Sequence, residues 1–419
     1  MAGSRLTSFG RGRGPLVAIC VFVACLGLWN AANYPTGAGY DAGSHMQYAD
    51  GLIPGWKLPQ GTGEYYTPPG FYLLAGSADW IAKQLGSGDP DRAAQVLNIA
   101  YWLGTILLVA AVARELWPGR RRIELGAAAF VALLPVVVET EAMFHPDPLS
   151  LLLSTLALWL CVRTFSNPRY MVALGVTLGA AQLVRAFALW TVAAVFLGLL
   201  AGRRWRELAV VVALAIVIPA PWYIHQRVTY GGQPEFSQPA QPTPLPHRFY
   251  VGLGIPGVIT KPYRSHHLQW IPVAYDGLFG DYFGAWIWHS GTPVGKTASV
   301  TTPTAGQRHR LVLQGLLGIF PTLVALAGWV LMARAALRRP QALAVALLPA
   351  IAILGYIYFA ATYWTSDGDL LKTSYMLSAA GAWALAFGFA LDRLRGRAWP
   401  VVLALLAVCA VVGLPFLVY

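Results

Sequence analysis

Eleven apolar runs divide this chain, at 15–32, 93–117, 123–138, 147–164, 171–184, 187–201, 207–224, 311–333, 342–360, 373–391 and 399–418. A soluble core could not bury so many segments of that length, whereas about 20 apolar residues match the hydrocarbon thickness of a bilayer. The pattern predicts an all-α polytopic membrane protein, a single integral membrane domain over 1–419 with about eleven transmembrane helices. Composition agrees, with 57% of residues hydrophobic and 11% charged, well outside the soluble range. The stretch from Met171 to Ala201 is long for one helix and short for two; "QLVRAF" breaks it and sets Arg185 at an outward turn. One tilted span there would hold Arg185 in mid-membrane and invert every later loop against the charge pattern.

A net charge of +12 would suggest nucleic acid or an anionic surface if it lay on one face. Sorted by the side each loop should occupy, eighteen of the 30 basic residues but only four of the 18 acids fall inside, including Arg120 to Arg122, "GRRWR" and "RLRGR". The excess is therefore a positive-inside signal, and no nucleic-acid partner is implied. It places the N-terminus in the cytoplasm and the C-terminus outside the cell, in a multi-pass plasma-membrane protein. Arg5, Arg11 and Arg13 before an apolar run are compatible with a signal peptide, but no small-x-small cleavage site follows, so the run is read as an uncleaved first span. All four cysteines lie in apolar runs, without disulfide or zinc spacing.

Two large extracytoplasmic loops remain, 33–92 and 225–310, and the chemistry is expected there. The first contains "GYDAGSHMQYADGLIPGWKLPQGTGEYYTPPGFYLL". Asp41 has two readings: an N-cap for a short helix, or a partly desolvated carboxylate at the outer interface acting on an incoming hydroxyl. His45, four residues on, shares its helix face. Glu64 precedes paired prolines that stiffen the return to the membrane. Residues 70–86 place Phe71, Leu74, Ala78, Ile81 and Leu85 at helical spacing, as in a helix lying on the outer membrane surface. The second loop is rich in Pro, Tyr and Trp, and its aromatic tracts suit the interface.

The turn "VETEAMFHPDPLSLLL" gathers Glu139, Glu141, His145 and Asp147 at a span end, which is costly near lipid unless the groups face an aqueous cavity. Asp147 equally suits the first turn of the next helix. Outer basic residues Arg185, Arg264 and Lys372 are candidate phosphate partners, with snorkelling to the interface as the alternative for each. The adjacent His266 and His267 offer a divalent metal site if one of them joins Glu64 or Asp41, although no helical His-x3-His spacing is present.

This constellation resembles the membrane-embedded glycosyltransferases of the GT-C superfamily, especially protein O-mannosyltransferases and aminoarabinose transferases. "GYDAGSHMQYADGLIPGWKLP" is similar to the family's first outer loop, "EYYTPPGFYLL" to its acid, paired-proline and aromatic pattern, and "HPDPLSLLLSTLALWL" to its second acidic motif. The resemblance implies a polyprenyl-phosphate-sugar donor and a glycan, lipid or protein acceptor on the extracytoplasmic side. It makes Asp41 the catalytic acid of the first loop and Asp147 the second acid, with Arg185 near the donor phosphate. Lys372, Glu64, His45 and Arg264 are assigned to substrate or phosphate binding. Ala42 stands where many members carry a second acid, and Tyr66 and Thr67 replace an acid–base pair.

The resulting expectation is an inverting transfer of a sugar to an acceptor hydroxyl. Two alternatives stand beside it: a transporter or flippase for a lipid-linked precursor, and a family member without catalysis. Transporters favour midplane ionisable groups and repeat symmetry; the acids here cluster at outer span ends.

Overall fold

The computed structural model describes residues 3–60, 63–231, 270–280, 305–362 and 372–413, all helices and connecting turns with no strand among them. Helices α1 (Gly3–Asn33), α4 (Arg92–Leu116), α7 (Asp147–Ser166), α13 (Ala305–Ala336) and α14 (Leu343–Thr362) are long. Between α1 and α4 lie the two short helices of the first outer loop, α2 (Ala42–Leu52) and α3 (Gly70–Gln84). Among the described residues six helical segments are long and apolar enough to cross a membrane, or eight if two bent pairs each count as one span. The runs at 171–184, 187–201 and 399–418 form α8 (Tyr170–Val184), α9 (Leu189–Ala201) and α16 (Ala398–Val412), which are shorter apolar helices. Every predicted run thus carries a helix, while the described residues hold six to eight candidate crossings by length and composition.

Proline explains both bent pairs. In the first, α5 (Arg121–Leu133) ends at Leu134, whose backbone is extended ahead of Pro135, and α6 (Pro135–Ala142) restarts at an angle of 52°; a residue before proline is driven out of the helical region. In the second, α10 (Trp205–Val217) and α11 (Ala220–Tyr230) meet at 40° around Pro219.

Small residues set the helix spacing, as expected where lipid supplies no hydrophobic drive between helices. Gly126 of α5 meets Gly388 of α15 (Ala380–Leu391) at a Cβ-free crossing, and a Cβ on Gly328 of α13 would fall onto the Ala386 carbonyl. Phe130 and Phe387 pack at 4.8 Å between ring centroids beside this crossing. At the opposite end from the first loop, the four acids Glu115, Glu124, Glu207 and Asp392 each meet an arginine, at 2.6 to 3.4 Å.

The first outer loop folds onto the bundle. Helix α2 crosses α3 through Gly76, whose missing side chain admits the Ala49 carbonyl, and Gly70 packs likewise against the Leu183 carbonyl at the end of α8. On α3 the predicted apolar stripe survives as exposed Leu74, Ile81 and Leu85. Phe71 departs from it: it is buried against Phe144 and Tyr72, because α3 has a second, inward face. Helix α11 braces the loop from above, Gln226 donating to the Tyr66 carbonyl and Tyr230 Oη to the Pro59 carbonyl at 2.8 Å.

Candidate active site

Four separate chain regions supply one charged cluster where the first loop meets the span ends. Asp41 stands at the N-terminus of α2 with φ of 53° and ψ of 19°, a left-handed conformation that Asp and Asn tolerate better than other side chains. It makes no side-chain cap hydrogen bond, so the capping reading of this residue is not realised. Instead its carboxylate accepts from Lys372 Nζ, 331 residues away. The Asp41 side chain is 46% exposed and that of Lys372 13%. Lys372 also lies 5.5 Å from the Tyr40 ring centroid.

Asp147 opens α7, immediately after Pro146, and reaches Arg185 in the turn that ends α8. The Arg185 Nε to Asp147 Oδ1 distance is 3.0 Å, with side chains 6% and 3% exposed. His145 Nδ1 lies 3.3 Å from the other Asp147 oxygen. The Arg185 guanidinium lies 5.5 and 5.6 Å from the ring centroids of Phe187 and Tyr375, a pair of rings that stack on each other at 4.4 Å. Arg185 is therefore fixed in place by an acid and two aromatic rings, and is not a snorkelling residue at the interface.

A polar seam joins the two pairs. His45 stacks 5.7 Å from Tyr72 and meets His145 edge-on at 4.8 Å. Its Nδ1 is 2.7 Å from Tyr72 Oη, and both residues are buried. Thr67 Oγ1 donates to Glu64 Oε2 at 2.8 Å, and Tyr66 Oη donates to Glu64 Oε1 at 3.3 Å. Glu64 is buried, 8% exposed, and is held by these two hydroxyls.

Electrostatics follows the geometry. The Lys372 ammonium, outweighing burial and aided by His45 and Arg185, lowers Asp41 to about 2. Burial pulls Lys372 down, but the Asp41 carboxylate and Tyr375 more than offset this and raise it. Burial lowers His45 to about 4 against the opposing fields of Glu64 and Asp41, and it holds His145 well below the ordinary imidazole range, with His45, Arg185 and Lys372 adding to the effect. The cluster thus presents an ionised Asp41, two fixed cations and two neutral imidazoles near neutral pH.

The structure therefore brings together Asp41, His45, Glu64, Asp147, Arg185 and Lys372. Arg264, His266 and His267 lie outside the described residues. Tyr40, Tyr72 and Tyr375 were not anticipated; their partners are distant in sequence, and no local pattern marks them. Among the described residues no three His, Cys, Asp or Glu side chains gather as a metal site. Asp41 and Asp147 are each already matched by a cation, a donor set that does not suit a divalent ion.

Comparison with known proteins supports this picture. The family model described as dolichyl-phosphate-mannose-protein mannosyltransferase matches residues 68–225, a segment holding Asp147 and Arg185. Among solved structures, ArnT from Cupriavidus metallidurans bound to undecaprenyl phosphate superposes with a TM-score of 0.56 at 16% identity, covering 93% of this chain and 62% of that one. The archaeal oligosaccharyltransferase AglB from Archaeoglobus fulgidus, in complex with an inhibitory peptide and a dolichol-phosphate, gives 0.55 at 15% identity, covering 96% and 56%. The A. fulgidus enzyme in complex with Zn and sulfate gives 0.51 at 16%, covering 95% and 52%. No curated protein matches the chain by sequence. The chain spans about three fifths of the length of the ArnT structure, and at these identities the likeness is one of fold.

Proposed function

Starting from a multi-pass membrane chain with the GT-C glycosyltransferase fold, we propose that it transfers a sugar from a polyprenyl-phosphate donor to an extracytoplasmic acceptor hydroxyl, with inversion, at the plasma membrane. The observation that carries this reading is the union of the Asp41–Lys372 and Asp147–Arg185 pairs in one site. Both carboxylates are held by cations, and both cations sit at span ends, the level at which a lipid keeps its phosphate. A glycosyl phosphate leaving group needs such cations, because negative charge grows on it as the anomeric C–O bond breaks. Arg185, aligned by Asp147, Phe187 and Tyr375, is the fixed donor to that phosphate. Lys372, more exposed than Arg185, is shared between the phosphate and Asp41.

In this scheme Asp41 faces the acceptor. Its carboxylate accepts the hydrogen bond of the attacking hydroxyl and aims the oxygen at the anomeric carbon, opposite the phosphate. Lipid-phosphate binding in the two neighbours bound to undecaprenyl phosphate and dolichol-phosphate supports the donor class, and the family-model description, a protein mannosyltransferase, supports a protein acceptor. No step is routed through a metal, since the residues described do not form a site for one.

The test is turnover by purified protein in nanodiscs with a panel of polyprenyl-phosphate sugars, comparing wild type with Asp41→Asn. Release of polyprenyl phosphate should fall by on the order of 10²-fold or more in the variant. Unchanged release would remove Asp41 from its role, and a wild type inert toward every donor would turn the reading toward transport.

A further inference from the structure

The end of the bundle opposite the first loop carries a second charged cluster, built from two turns distant in sequence. The turn before α5 holds Arg120, Arg121 and Arg122, and the turn between α15 and α16 holds Arg393, Arg395 and Arg397. Side chains tie the two turns together. Arg120 Nη1 lies 3.4 Å from Asp392 Oδ2, Arg122 Nη1 donates to the Leu394 carbonyl at 3.5 Å, and the Arg122 guanidinium stands 5.3 Å from the Trp399 ring centroid. The acids here are already taken, Asp392 by Arg120 and Glu124 by Arg121 at 2.8 Å. Arg122, Arg395 and Arg397 are exposed and have no carboxylate partner among the described residues.

Arginine is the wrong charge for these positions. Arg120 is the N-cap of α5 and Arg397 that of α16, and neither side chain closes its helix. A helix N-terminus carries about half a positive charge and favours an anion, so two positive helix ends and three unpaired guanidiniums share one surface. The positive-inside pattern asks that arginines lie on this side; it does not ask that two turns converge. Along α16, Val401, Val408 and Val411 follow Arg397 on one face at helical spacing and are exposed. They lead to an apolar recess of about 280 Å³ between α1, the α5–α6 pair and α16, lined by Phe22, Leu26, Leu133, Val138, Ala407 and Val411 among others. Ala407 follows Arg397 by ten residues, which sets the recess about 15 Å below the guanidinium level at a rise of about 1.5 Å per residue. That is half of the ~30 Å hydrocarbon core, the depth an acyl chain fills in its own leaflet.

We infer that the seam between α5 and α16 is a binding site for one anionic phospholipid of the leaflet on this side, its phosphate held by Arg122, Arg395 and Arg397 and one acyl chain running along the α16 valines into the recess. The two features select this occupant together. A soluble anion would use the arginines and leave the recess without a partner. A zwitterionic lipid would fill the recess but bring its own cation to two positive helix ends. An anionic headgroup satisfies the charge, and its chain has the reach the recess requires. The site lies at the far end of the bundle from Asp41 and Arg185 and does not depend on the transfer reading.

The test is a titration of the full chain in dodecyl maltoside with dioleoyl phosphatidylglycerol or dioleoyl phosphatidylcholine, bound lipid being counted by native mass spectrometry. Wild type should bind phosphatidylglycerol on the order of tenfold or more tightly than phosphatidylcholine. The triple variant Arg122→Gln, Arg395→Gln, Arg397→Gln should weaken phosphatidylglycerol by on the order of 10²-fold, and its exposed positions leave the fold intact. A charge-matched control, Arg169→Gln, Arg203→Gln, Arg206→Gln, removes three arginines elsewhere at the same end and should change the affinity by less than about threefold. Val411→Trp fills the recess without touching the charge and should weaken phosphatidylglycerol by about tenfold; Ala407→Phe should repeat this if Val411→Trp folds poorly. Equal binding of the two lipids by wild type would overturn the site. So would equal losses in the two triple variants, which would reduce the effect to a diffuse field, or full affinity in both recess variants.

Discussion

Replacing Arg185 by Met should destabilise the protein measurably, and the size can be worked from the site. At 3.0 Å between Nε and Oδ1, the pair's Coulomb attraction is about 5 kcal/mol at an effective dielectric of 20. Both side chains are almost wholly buried, so solvent screening does not discount the figure as it would at a surface. Removing one partner from a buried pair leaves the other uncompensated, at a cost of about 3–5 kcal/mol. The lower end is expected here, because His145 and Ser374 remain beside Asp147. Adding Asp147→Leu should recover most of the loss, bringing the double variant within about 1 kcal/mol of wild type. Thermal unfolding of the four proteins of this cycle in nanodiscs provides the measurement. A single variant within about 1 kcal/mol of wild type, or a double variant no better than the single, would refute the claim that these charges are a mutually dependent buried pair. Both variants should lack transfer activity, which separates the recovery of stability from that of function.

Three further outcomes follow from other parts of the molecule. Asp41 is lowered to about 2 in the folded state, below its ordinary value near 3.9, so its pairing contributes stability that is present above pH ~4 and fades as pH falls toward 2; acid titration of wild type against Asp41→Asn should show the two converging there. Asp79, on the inward face of α3, is raised to about 8 by burial and the nearby Asp91 and Asp50. Its folded pKa exceeds the unfolded one, so its favourable contribution is complete below pH ~4 and lost as pH rises to about 8; Asp79→Asn should unfold later than wild type at pH 8 and show a flatter pH dependence. Gly328→Val should be destabilising by about 1–3 kcal/mol or more, read as a lower unfolding temperature, since the added side chain would meet the Ala386 backbone and push α13 from α15.

Much of the architecture was legible because apolar length and arginine placement are one-dimensional signals. Each predicted run became a helix, and the break at "QLVRAF" placed Arg185 at a turn as the charge pattern required. The number of crossings was less legible, since the runs at 171–184 and 187–201 gave helices of about 15 residues whose relation to the bilayer depends on packing. The charged residues that cluster at the candidate site stood out in the sequence because an ionisable group at an apolar boundary is conspicuous. Tyr72 and Tyr375 did not, because a tyrosine beside a membrane span is ordinary and their partners lie tens or hundreds of residues away. Tyr66 and Thr67, which at first looked like the loss of a charged pair, are the two hydroxyls that hold Glu64.

The left-handed backbone of Asp41 also decides how its chemistry can be interrogated. Alanine in that conformation carries roughly 1–2 kcal/mol of strain, which the chain can relieve by shifting the start of α2 and, one turn later, His45 with it. A loss of activity in Asp41→Ala would then mix a missing charge with a displaced imidazole. Asparagine accepts the same φ and nearly the same shape, so Asp41→Asn removes the charge while leaving the helix origin where it is, and only that comparison isolates the carboxylate.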